Sequence, residues 1–145
     1  MSTLLRCVFA LGLVAGVALP ALAAEEHPLL TAPLTQAPGR KLVALTVTFA
    51  PGQQSKPHHH EADAFVYMLS GRVRSQVDRE PAREYGPGES WFEPAGAHHL
   101  GTANVSGTEP ATFLVVFVAR PDARLTVPDQ AAPDQISTPA LTQSR

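Results

Sequence analysis

The sequence has almost no thiols, no excess of either charge, and no long apolar run beyond its first twenty residues. Its one cysteine is Cys7, so no disulfide within the chain can hold a fold together. Eleven lysines and arginines stand against 13 aspartates and glutamates, without a basic stripe or basic–aromatic interleaving, which argues against a nucleic-acid partner. After residue 23 no segment shows an apolar stripe at helical spacing, which argues against a helical bundle.

What is present begins with a leader. Arg6 precedes an uncharged apolar run from Cys7 to Leu19, and Pro20-Ala21-Leu22-Ala23 follows with small residues in an Ala-x-Ala pattern. This is the layout of a secretory signal peptide, residues 1–23, with cleavage expected after Ala23. The run is short of the roughly 20 residues a spanning helix needs, and no basic stop-transfer cluster follows it. The expected location is therefore periplasmic or secreted, with no membrane partner after cleavage. Taking 23 residues from 145 leaves 122, enough for one core and not two. Cys7 leaves with the leader.

Residues 24–39 contain Pro28, Pro33 and Pro38 without sustained periodicity and read as an irregular lead-in. From Lys41 to Phe49, residues Val43, Leu45, Val47 and Phe49 alternate with Ala44, Thr46 and Thr48, the period of a strand. Phe65–Leu69 and Arg72–Val77 flank Ser70-Gly71 and read as a hairpin with one wet face. Ser90–Glu93, residues 99–104 and Thr112–Ala119 are further strands, the last an apolar run buried on both faces or nearly so. Short strands between Gly/Pro turns predict an all-β barrel or sandwich over residues 40–120. Residues 121–145 are polar and Pro-rich, a tail that is either mobile or laid on the surface.

Five of the six histidines fall into two clusters, His58-His59-His60 and His98-His99. On an extended strand His58 and His60 share a face and His59 points away. Two imidazoles so spaced can grip one metal ion, with a third ligand from the second cluster. Imidazole serves Fe, Mn, Ni, Cu and Zn alike, so the set does not name the metal.

The residues around these clusters resemble the two cupin motifs. Gly52, His58, His60 and Gly71 follow the spacing of the first, and Gly88, Pro94, Gly96 and His99 that of the second. The resemblance covers residues 41–119 and implies a single-domain double-stranded β-helix, a jelly-roll barrel, with a metal on His58, His60 and His99. It also makes a homodimer plausible. Two positions depart from the pattern. Ala64 stands where the family usually carries a glutamate ligand, and Asn104 lies one residue later than the customary asparagine.

Glu93 is the first candidate for the missing carboxylate. It precedes Pro94 where related cupins commonly have an inward apolar residue, and some exported cupins carry an aromatic–Glu pair there. An inward carboxylate beside Trp91 and Phe92 needs a partner, so Glu93 is a metal ligand or a general base. Asp63 is the second candidate. Phe65 and Tyr67 are candidates to line the cavity. Three histidines leave coordination positions open for small-molecule chemistry, and the functional expectation is a metal-dependent enzyme of oxygenase, isomerase or lyase type. A non-catalytic periplasmic binder of metal or small ligand is the alternative.

Overall fold

The computed structural model describes residues 23–129, so residues 1–22 of the expected leader and residues 130–145 lie outside the described residues. Two five-stranded antiparallel sheets face each other, with no helix among the described residues. The first sheet runs in the order β1 (Glu25–Pro33), β2 (Lys41–Phe49), β9 (Ala111–Ala119), β4 (Ala62–Ser70), β7 (Ser90–Glu93). The second runs β10 (Val127–Pro128), β3 (His58–His59), β8 (His98–Asn104), β5 (Val73–Val77), β6 (Arg83–Tyr85).

Alternation builds the core. Ala62, Ala64, Val66 and Met68 of β4 point inward, as do Ala111, Phe113, Val115, Phe117 and Ala119 of β9. Phe49 packs edge-on to Phe113, with ring centroids 5.3 Å apart, and Trp91 lies against Tyr85 and Phe113. The outer face of β9 is half-buried, so the run Thr112–Ala119 is sealed on one side only.

Three expectations are corrected. The segment from Phe65 to Val77 is not a hairpin: β4 belongs to the first sheet and β5 to the second. Gly71, at φ 70°, carries the chain across between them, pressed so close to β9 that a Cβ there would meet Ala111 Cα and the Pro110 carbonyl at 2.6 Å. The lead-in is not irregular, because Glu25–Pro33 pairs along β2 with one register shift between Pro28 and Leu30. An edge strand tolerates prolines, since an N–H that faces outward has no ladder partner to lose. Phe65 and Tyr67 do share a face, but it is the exposed outer face of β4 and not a cavity wall.

Of the expected tail, residues 121–129 are laid on the barrel. Arg124 makes a two-point contact with Glu61, at 2.9 and 2.5 Å, and β10 pairs with β3.

Candidate metal centre

One register sorts the histidines. β3 and β8 pair with His58 opposite His99 and His59 opposite His98, and directly opposed residues share a face. His58 and His99 therefore point into the barrel with His60, while His59 and His98 point out. The donor nitrogens of His58, His60 and His99 all lie within 4.8 Å of one another.

Glu93 approaches from the other sheet. It is 2% exposed and sits directly across from Ala64 in the β4–β7 ladder. The side chain missing at position 64 is thus replaced by a carboxylate from the neighbouring strand, and the small Ala64 leaves room for it. Glu93 Oε2 lies 3.2 Å from His60 Nε2 and 3.3 Å from His99 Nδ1.

Each of these groups is held from behind. His58 Nδ1 donates to the Lys56 carbonyl at 2.7 Å, and His60 Nδ1 donates to the Leu125 carbonyl. A carbonyl only accepts, so both rings carry a proton on Nδ1 and turn Nε2 to the site. His99 Nε2 is occupied by the hydroxyls of Ser75 and Thr102, at 2.9 and 2.8 Å, which leaves Nδ1 facing the site. Trp91 Nε1 donates to Glu93 Oε1 at 2.7 Å, which leaves Oε2 facing the site.

Burial sets the electrostatics. His99, 5% exposed, is pushed down to about 4 by desolvation, against the pull of Glu93. Desolvation also pushes His60 down, but the Glu93 carboxylate and the Leu125 carbonyl outweigh it and the net shift is upward. For Glu93 desolvation pushes up, and the two imidazoles with the Trp91 N–H bring the net shift downward. The carboxylate is therefore ionised and His99 neutral near pH 7, the forms in which each binds metal.

Whether these residues fit a metal is decided by two atoms. Among the described residues, the buried side-chain polar atoms without a hydrogen-bond partner are Glu93 Oε2 and His99 Nδ1. Their 3.3 Å separation lacks hydrogen-bond geometry but is close to the roughly 3.4 Å edge of a tetrahedron with 2.1 Å metal–ligand bonds. Native proteins rarely leave such atoms orphaned, and an ion between them satisfies both. Three imidazoles and one carboxylate suit a divalent transition metal.

The Cupin_2 family model, "Cupin domain", matches residues 45–117. This chain is a cupin. The TT1209 protein from Thermus thermophilus is 34% identical, with a TM-score of 0.54 over 68% of this chain and 85% of that one. KdgF from Halomonas sp. shares the fold at 23% identity and TM-score 0.56, over 68% of this chain and 81% of its own. Bacillus subtilis oxalate decarboxylase matches at 25% identity and TM-score 0.52, over 60% of this chain and 24% of that one. Among curated proteins none matches the chain.

The cupin's other candidates separate cleanly. Asp63 lies on the exposed face of β4, where its carboxylate accepts from the Ala95 N–H at 2.9 Å, away from the histidines. Asn104 is buried and donates to the carbonyls of Ala50 and Glu109, pinning the loops after β2 and β8. Ser75, Thr102 and Leu125 were not legible as site residues. Ser75 left a trace, being the polar member of an inward face between buried Val73 and half-buried Val77. Thr102 is hidden by a bulge: Gln76 pairs with Gly101 and Val77 with His99, so residues 99 and 102 face inward at an odd spacing. Gly101, at φ 150°, permits that bulge.

Proposed function

We propose that this cupin is exported, binds one divalent transition-metal ion through His58, His60, His99 and Glu93, and in that form is an enzyme acting on a small organic molecule. The observation that carries the reading is the orphaned, buried pair Glu93 Oε2 and His99 Nδ1, set beside the cluster of His58, His60 and His99 nitrogens. A metal bound there would supply Lewis-acid polarisation of a substrate oxygen. The chain's own residues do the positioning. Trp91 restricts Glu93 to one free oxygen, and Lys56, Leu125, Ser75 and Thr102 fix the three rings. A coordination position left open by the protein would admit a substrate oxygen. The likeness to oxalate decarboxylase, an enzyme by name, supports a catalytic cupin without naming this one's substrate.

Burial favours the second reading, a metal- or ligand-binding cupin without turnover, since His60, His99 and Glu93 are each under 8% exposed. Two measurements decide. Elemental analysis of untagged, dialysed protein should give at least one tightly held ion per chain, and His58→Ala/His99→Ala should hold one ion fewer. An ion count unchanged in that variant rejects the site. Water-proton relaxation of the Mn2+-loaded protein should then show exchangeable water on the ion. A coordination shell closed by protein alone rejects the enzyme and leaves the binder.

A further inference from the structure

We propose that His59, His98 and Asp129 form a second divalent-metal site, on the outer side of the same strand pair that holds the inner histidines. It would take an ion of the borderline class that imidazole and carboxylate share, such as Zn2+ or Ni2+.

The same register that turns His58 and His99 inward places His59 and His98 side by side outside, with ring centroids 6.0 Å apart. Asp129 lies between them. Its Oδ1 is 2.8 Å from His59 Nδ1 and its Oδ2 3.0 Å from His98 Nδ1. One donor atom from each of the three residues falls within 4.8 Å of the others.

The carboxylate is held by backbone. Val127 and Pro128 pair with His59 and His58, and the Asp129 N–H donates to the Pro57 carbonyl at 3.1 Å. The His98 backbone is fixed too, its N–H donating to Asp78 Oδ1 at 2.8 Å. Little chain ordering remains to oppose an incoming ion. Two imidazoles and a carboxylate give three protein ligands and leave the remaining positions to water, the arrangement of an open site. His98 also lines an open depression of about 670 Å3, with Asp78, Arg79 and Phe92, so an ion there is reachable from solvent.

The consequence reaches inward. The segment that supplies Asp129 also supplies the Leu125 carbonyl that orients His60. An ion on the outer face clamps that segment to β3 from the far side.

The test is calorimetric titration of the metal-free, untagged full chain with Zn2+. The expected result is two binding events. His98→Ala and Asp129→Asn should each weaken one event at least tenfold and the other by much less. The His98 side chain is 62% exposed, so its removal should leave the far-ultraviolet circular dichroism unchanged. His58→Ala/His99→Ala should show the opposite loss, keeping the event that His98→Ala removes, which separates failure of this site from failure of the inner one. An isotherm in His98→Ala/Asp129→Asn identical to that of the unaltered chain overturns the proposal. It would leave Asp129 as a charge-assisted clamp on two imidazoles and no more.

Discussion

At the scale of single residues, the groups behind the ligands carry the sharpest expectations. Trp91→Phe keeps a ring against Tyr85 and Phe113 but removes the N–H that holds Glu93 Oε1. The carboxylate is then free to rotate. Metal affinity at the inner site should fall about 10- to 100-fold, measured by competition with a chelator, while the fold persists. A stability effect without an affinity effect would make Trp91 a packing residue. The metal-free protein should also respond to acid through His99. Its unfolded form titrates near 6.5 and its folded form near 4, so between these values the unfolded chain binds a proton that the folded chain refuses. Stability should fall as pH drops through that window, by roughly 3 kcal/mol over its whole span. The raised His60 contributes stability that is already complete below 6.5, and the lowered Glu93 contributes stability lost only below about 4.5. Denaturant midpoints of the metal-free protein at pH 6.5 and 4.5 check the direction.

At the scale of elements, two connections matter more than any strand. The crossing at Gly71 combines a left-handed φ with backbone contact to β9, so Gly71→Ala must both strain the turn and push Ala111 away. A loss of about 2–4 kcal/mol is expected in chemical denaturation, far above a surface glycine. The segment after β9 is the other. Truncation after Ala123 removes the Leu125 carbonyl from His60 and should lower inner metal affinity about 10- to 100-fold. Unchanged affinity would show that Leu125 does not orient the ligand. These elements also mark where the amino-acid sequence stopped being informative. Lys41–Phe49 was legible as a strand from period-two alternation, though only Val47 and Phe49 of its apolar face are fully buried and Ala44 of the other face is too. Ser90–Glu93 was legible from the turns that bound it, while its burial runs against hydropathy, with Phe92 exposed and Glu93 buried. The alternation of His58, His59 and His60 separated inner from outer rings. Gly71 looked like a hairpin turn because a local pattern does not say which sheet receives the next strand. β1 was hidden by prolines that only an edge position excuses. Thr102 was hidden by a bulge, and Leu125 by acting through its backbone, which no side chain announces.

At the scale of the whole molecule, the proposed inner site would tie one sheet to the other. His58 and His99 belong to the second sheet and Glu93 to the first, so an ion held by all of them cross-links the faces of the barrel. The chain has no disulfide to do this, and the core position directly opposite Glu93 is the small Ala64. Without metal, the fold carries two orphaned polar atoms in that space. With metal, both are satisfied, and the ligand set is scattered on unfolding, so binding energy becomes folding energy. At a free ion concentration about 100 times the dissociation constant the gain is about 2.7 kcal/mol. For a domain of this size that raises the thermal midpoint by roughly 10–20 °C. Chelation should reverse the shift in the unaltered chain. His58→Ala/His99→Ala should lose the part of the shift that the inner ion supplies. In Glu93→Gln, which keeps three imidazoles but loses the charge from the opposing sheet, a reduced shift is expected. If Glu93→Gln gives the full shift, the ion rests on one sheet alone and the cross-link does not exist.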